Sequence, residues 1–242
     1  MSFNPAAVKA LCFDLGNTLI EFGPRQIAHQ FEALRATLVD LFGHCDPERL
    51  REVRDGQILA PYRDAEYREN DLEVISAELI RRLYDIEPEA HHVTAMAETR
   101  QKAFLQVVEL AEEVSVLLRA LQSRYRLALL SNYPCGYSIR GGLDKLGMME
   151  LFDVIVVSGE VGFVKPHARP YELMLGELGL EAGECVYVGD NWLADIQGAK
   201  GVGMQAILTT EHVPYENFER RDGDHEPDAR IAHLGELKGL LL

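Results

Sequence analysis

Leu11-Cys12-Phe13-Asp14-Leu15-Gly16-Asn17-Thr18-Leu19 is the stretch whose reading decides the fold. The apolar run that ends at Phe13 has the length of a buried strand, and it stops on a carboxylate with a glycine two residues later. Asp14 therefore stands at the carboxyl end of a strand. In open α/β sheets that edge is where ligands bind, and a Gly-Asn-Thr turn there can aim successive backbone N–H groups at an anion. An aspartate so placed can serve as a nucleophile, as a metal ligand, as both, or simply as the cap of a turn.

Three later strand-like runs end on further polar groups. Leu127-Ala128-Leu129-Leu130 runs into Ser131-Asn132, Gly162-Phe163-Val164 into Lys165-Pro166, and Val186-Tyr187-Val188 into Gly189-Asp190-Asn191, with Asp195 about one helical turn beyond. Acid, hydroxyl, lysine and paired acids in this order resemble the four motifs of the haloacid dehalogenase (HAD) superfamily of hydrolases. The resemblance covers roughly residues 8–20 and 110–210, and it extends to Phe152-Asp153 before one strand and to Gly198-Ala199 and Gly203-Met204 after the last motif.

The 242-residue chain has 24 basic and 39 acidic residues, a net charge of −15 that opposes non-specific binding to nucleic acid or an anionic membrane. A phosphate would have to be held by local donors and a metal ion. No stretch approaches the length of a membrane span, and the amino terminus lacks the pattern of a secretory signal. Cys12, Cys45, Cys135 and Cys185 show no zinc or dithiol spacing, which points to free thiols and a cytoplasmic location.

The texture changes after Glu21. From about Arg25 to Glu109 apolar residues recur at helical spacing, as in Ile27, Phe31, Leu34, Leu38 and Leu41 and again in Leu72, Ile75, Leu79 and Leu83. Asp46-Pro47 and Glu87-Pro88 read as helix starts. We expect an all-helical insertion of four or five helices over 21–109. Residues 1–20 and 110–242 form an α/β core, a doubly wound, parallel, Rossmann-like sheet with strands near Leu127–Leu130, Val154–Val157, Val186–Val188 and Gln205–Leu208. His212 to His225 reads as irregular surface, followed by a short helix from about Asp228. By its insertion point the helical segment looks like the cap of one branch of the family, closing over the site to exclude water and contact the leaving group. Arg54, Tyr62, Arg63 and Tyr67 are its candidates for substrate contact.

The resemblance implies a Mg²⁺-dependent phosphohydrolase for a small phosphorylated metabolite. Asp14 would be the nucleophile, with Asp14, the Gly16 carbonyl and Asp190 holding the metal and Asp195 orienting Lys165 or a bound water. Asn17, Thr18, Ser131, Asn132 and Lys165 would receive the phosphoryl oxygens. One position departs from the family pattern. Phosphatases of the superfamily usually carry a general acid two residues after the nucleophile, and Gly16 supplies none, a gap of about 10²–10⁴ in rate. A haloacid dehalogenase and a catalytically weak ligand-binding or protein-binding member are the alternatives.

Overall fold

A computed structural model describes residues 3–213 and 220–242. Six parallel strands form one sheet: β1 (Ala10–Phe13), β2 (Arg126–Ser131), β3 (Val154–Val157), β4 (Cys185–Gly189), β5 (Gln205–Thr209) and β6 (Ala229–Ile231), in the order β3-β2-β1-β4-β5-β6. All four residues of β1 are buried. Leu11 and Phe13 face one apolar layer and Ala10 and Cys12 the other, the alternation that a strand covered on both sides requires.

Over residues 24–107, after β1, the chain builds four helices, α1 (Pro24–Phe42), α2 (Pro47–Arg63), α3 (Leu72–Tyr84) and α4 (Ala90–Val107). They enclose a core of their own around Phe31, Leu38, Leu50, Val53, Leu79 and Met96. Asp46 caps α2 by accepting from the N–H groups of Glu48 and Arg49, with Pro47 at the first helical position where its missing N–H costs nothing. Pro88 does not open α4, which starts two residues later with Glu89 as its cap. Near the end of α4, Phe104 packs outside the insertion's own core and joins the layer that contains Leu11 and Phe13.

The core helices are α5 (Glu112–Gln122), α6 (Gly136–Lys145), α7 (Ser158–Val161), α8 (Ala168–Leu178), α9 (Gly198–Gly201) and α10 (Leu237–Leu241). The helix expected after β4 begins as a π-helical segment, Trp192–Gln197, before continuing as α9. The carboxyl-terminal region corrects the sequence reading: Ala229–Ile231 is an edge strand, and the short helix starts only at Leu237. Three residues, one of them the exposed Arg230, are too few for alternation to register. Residues 214–219 of the segment expected to be irregular lie outside the described residues. Among the described residues no helix is long and apolar enough to cross a membrane.

The helical insertion docks on the core through a short piece of backbone as well as side chains. Arg68 and Phe163 form an antiparallel bridge, Glu69 N–H donates to the Gly162 carbonyl (3.0 Å), and Val164 N–H donates to the Tyr67 carbonyl (2.9 Å). Glu69 also accepts from the buried Ser158 hydroxyl at 2.9 Å.

Stability should follow this layering. Leu11→Ala, at the fully buried centre of the sheet, is expected to cost about 2–5 kcal/mol. Val116→Ala, at a position 53% exposed on α5, should stay within about 0.5 kcal/mol. Denaturant unfolding of the two variants checks the contrast, and equal losses would contradict the placement of β1.

Candidate active site

In the strand order β3-β2-β1-β4-β5-β6 the direction of winding reverses between β1 and β4. A crevice opens at the carboxyl ends of strands on either side of such a reversal. Asp14 follows β1 directly, with its N–H donating to the Val188 carbonyl of β4 at 3.0 Å, and Asp190 follows β4. Carboxylate oxygens of Asp14, Asp190 and Asp195 all lie within 4.8 Å of one another.

Lys165 holds this cluster. Its ammonium is buried and donates to Asp14 Oδ1 (2.7 Å), Asp195 Oδ1 (2.7 Å) and the Tyr187 hydroxyl (2.8 Å), three acceptors for three N–H bonds. Tyr187 in turn donates to the Leu130 carbonyl at 2.9 Å. Burial alone would pull the lysine down, but the charges of Asp14 and Asp195 outweigh it and raise the pKa. Asp195 is fixed on its other side, where Oδ2 accepts from Asn191 N–H at 2.9 Å. A side chain at Gly189 would place its Cβ 2.3 Å from that same oxygen, so the close approach of strand and carboxylate requires glycine.

Burial, reinforced by Asp14 and Asp195, pushes Asp190 up to about 8. Asp195 is pushed up to about 6, chiefly by burial and against the pull of Lys165. Two carboxylates share one ammonium and a third lies within 4.8 Å of them, which leaves excess negative charge in a poorly hydrated place. The donor set is therefore that of a hard, divalent cation site, with all-oxygen ligands.

A cavity of about 220 Å³ opens beside Asp14 and is also lined by Gly16, Asn17, Ser131, Asn132 and Tyr133. The structure thus brings Asp14, Gly16, Asn17, Ser131 and Asn132 to one wall, with Lys165, Asp190 and Asp195 gathered around Asp14. Two of the expected phosphate contacts have other partners. Asn17, held at φ 59°, donates its N–H to the Ile20 carbonyl (2.7 Å), and its side-chain oxygen accepts from Phe22 N–H (2.9 Å). Thr18 is fully buried, and its hydroxyl donates to Asp190 Oδ1 at 3.3 Å. Asn132 is a junction: its Oδ1 accepts from Lys165 N–H (2.8 Å), and its Nδ2 donates to the Lys165 carbonyl (3.1 Å) and to the Tyr62 hydroxyl of the cap (3.0 Å). Burial holds the Tyr62 hydroxyl above its ordinary pKa.

The sequence reading passed over Tyr187 and Arg100. A tyrosine inside a strand buried on both faces needs a partner for its hydroxyl, and that signal was available in Val186-Tyr187-Val188. Arg100 on α4 lies in a second cavity, between cap and core, of about 450 Å³. Burial is the main influence on its guanidinium, which is lowered to about 10, with Tyr133 opposing and Arg54 adding to the shift. It remains a cation at neutral pH. Arg54 and Tyr62 line this cavity as well, whereas Arg63 and Tyr67 do not. His167 caps α8 by accepting from Arg169 N–H at 3.0 Å and stacks on Phe163, a structural arrangement.

Comparison with known proteins agrees with this geometry. Residues 13–209 match the family model described as haloacid dehalogenase-like hydrolase. The chain is 28% identical to a ribulose-1,5-bisphosphate 5-phosphatase of Halopiger xanaduensis over 249 residues, covering 96% of this chain and 98% of that one. It is 26% identical to a phosphoglycolate phosphatase of Yersinia pseudotuberculosis, covering 96% and 92%. Among solved structures, a 2-haloacid dehalogenase from Pseudomonas syringae superposes with a TM-score of 0.74 at 25% identity, covering 96% and 97%.

The crowded carboxylates make a pH prediction for the metal-free protein. A carboxyl whose folded pKa lies above its unfolded value binds a proton only in the folded state between the two, so stability falls as pH rises through that interval. For Asp190 the interval runs from 3.8 to about 8, and for Asp195 from 3.8 to about 6. In EDTA, Asp190→Asn should therefore gain melting temperature relative to wild type as pH rises from 6 to about 8, while the difference stays flat above that. Thermal melts of both proteins across this range provide the check; a constant difference would contradict it.

Proposed function

Because the chain belongs to the haloacid dehalogenase-like hydrolase family, we propose that it is a Mg²⁺-dependent phosphohydrolase acting on a small phosphorylated metabolite. The observation that carries this reading is the meeting of the Asp14, Asp190 and Asp195 carboxylates within 4.8 Å of one another, two of them bonded to the Lys165 ammonium. An anionic substrate would be repelled from that cluster unless a divalent cation joined it. Asp14 and Asp190, with the Gly16 carbonyl, would hold Mg²⁺. When bound, the ion would neutralise the excess charge and polarise the phosphoryl oxygens.

The chain's own groups account for the rest. Lys165 fixes Oδ1 of Asp14, which leaves Oδ2 to attack phosphorus in line. The new Asp14–phosphorus bond forms as the bond to the leaving oxygen breaks, and water then attacks phosphorus, releasing phosphate and restoring the carboxylate. Ser131 would donate to the transferring oxygens from the cavity wall, while Asn132, expected to share that task, has both amide hydrogens given to the Lys165 carbonyl and the Tyr62 hydroxyl and would instead position the lysine. Since the three N–H bonds of Lys165 already have protein acceptors, it would act on the anion as a fixed charge. Asn17 and Thr18 would shape the loop that carries Gly16, and Asp195 would position Lys165. The lack of disulfides among the described cysteines suits a reducing compartment, and we place the protein in the cytoplasm.

The likeness to a solved 2-haloacid dehalogenase keeps a second reading in view, in which Asp14 attacks carbon without a metal. A panel of phosphorylated metabolites and 2-chloropropionate separates the two. Phosphate release is expected to stop in excess EDTA and in Asp14→Asn, and Asp190→Asn should demand more Mg²⁺. Full activity in EDTA, or halide release in place of phosphate release, would replace this reading with the second.

Gly16 sets the leaving-group dependence. With no acid there, the rate should depend steeply on leaving-group pKa, so that acyl and aryl phosphates react far faster than alkyl phosphates. Gly16 lies outside the left-handed region, and an added Cβ would meet only the Phe22 Cβ, at 3.6 Å, so a side chain fits. Gly16→Asp is expected to raise alkyl phosphate hydrolysis selectively, by up to about 10²–10⁴. The measurement is a leaving-group series on both proteins. A flat wild-type series would mean that another group already supplies the proton, and the Tyr62 hydroxyl would be the first to examine.

A further inference from the structure

The cavity between cap and core is walled largely by apolar side chains, including Ile58, Leu72, Ile75 and Val164, and it shares Phe22, Asn132 and Tyr133 with the smaller cavity beside Asp14. A molecule whose phosphoryl group sits at Asp14 would thus extend past Asn132 into the larger space. Among the described residues one buried donor that lines it, Arg100 Nε, has no partner, whereas the Gln30 amide lies beside the Tyr133 hydroxyl. The one hydrogen bond of the Arg100 guanidinium to another side chain is long, 3.4 Å from Nη2 to Gln57 Oε1.

No carboxylate lies within 4.0 Å of Arg100 among the described residues. Its neighbour Arg54 is differently placed, because Asp55 accepts from Arg54 Nη2 at 2.6 Å and the Phe31 ring lies 5.3 Å from its guanidinium carbon. Arg100 is half-buried with its Nε wholly shielded from solvent, so the lack of a counter-charge is costly there, and a guanidinium edge presents two parallel donors that match a carboxylate or phosphate. Asp55 and Glu69 line the cavity too, and Arg54 is already paired with Asp55, so Arg100 is the lining cation left for an anion to bind.

On the phosphohydrolase reading above, we propose that this cavity is the leaving-group subsite and that it takes a substrate carrying a second anion, a carboxylate or another phosphate, paired with Arg100. The substrate class is then a bifunctional anion: a phosphate ester at one end, a short carbon chain, and a second negative group at the other.

The test uses the full-length protein with Mg²⁺ and ω-phosphooxy carboxylates of increasing chain length. Each is compared with its primary amide and with the matching alkanediol bisphosphate, and p-nitrophenyl phosphate reports on phosphohydrolase chemistry as such. For one chain length, kcat/KM of the acid or the bisphosphate should exceed that of the amide by about 10- to 100-fold, mostly through KM. Preference for the acid or for the bisphosphate identifies which anion the subsite takes. In Arg100→Met the ratio of anion to amide should fall to about one, and Arg100→Lys should restore part of it, since the charge returns without the fork. Hydrolysis of p-nitrophenyl phosphate with acid, bisphosphate and amide equal at every length in the wild type would overturn the subsite and leave the phosphohydrolase reading standing. Failure to hydrolyse any phosphate ester would overturn both. The wild-type comparison needs no variant, so it decides the matter even if Arg100→Met fails to fold.

Discussion

One buried ammonium ties the site together. Lys165 reaches Asp14 at the end of β1, Asp195 in the π-helical segment after β4, and Tyr187 within β4, so three separate pieces of chain converge on a single atom. Such a pair is not a strong source of stability, because desolvating the charges offsets much of their attraction. What it gives is position. With all its N–H bonds satisfied the ammonium cannot swing, and the carboxylates it holds face the cavity in one arrangement. Removing it would leave two buried carboxylates with no nearby cation, a far larger penalty than the pair itself is worth.

The scaffold exists to keep that convergence in place. The reversal of winding between β1 and β4 puts two acidic strand ends side by side, and Gly189 lets the Asp195 carboxylate come close to the strand. Asn132 clamps the backbone of Lys165 from β2's side with both ends of its amide. Backbone and side chain of the lysine are thus fixed independently, which is how a flexible four-carbon stem comes to behave as a rigid element.

Much of this was legible in the sequence because strand ends announce themselves. Asp14, Ser131 and Asp190 each end an apolar run, and a parallel sheet must bring such ends to one edge, so the core of the site follows from pattern alone. The helical insertion was equally plain from its spacing. What the pattern does not carry is pairing across sequence. Tyr187 looks like any core aromatic until the lysine 22 residues before it arrives at its hydroxyl. Asn17 and Thr18 sit in the right loop, yet their hydrogen-bonding groups are turned to Phe22, Ile20 and Asp190, a matter of local turn geometry that residue identity leaves open. Arg100 on a helix of mixed polarity reads as a solvent-facing charge, and only the packing of α4 against the other insertion helices and the core half-buries it. The edge strand Ala229–Ile231 owes its form to pairing with β5 and has no signature of its own.

The backbone bridge that seats the helical insertion has a consequence for the site. Its core half, Gly162 to Val164, runs directly into Lys165, and the Tyr67 carbonyl is bonded to the residue immediately before that lysine. Tyr62 meanwhile leans on the same asparagine that clamps the lysine backbone. Any displacement of the helical insertion from the core would therefore break two of the hydrogen bonds that border the buried Lys165. The seating of the helical insertion and the arrangement of charge around Asp14 thus share the same few hydrogen bonds, so neither can be altered without the other.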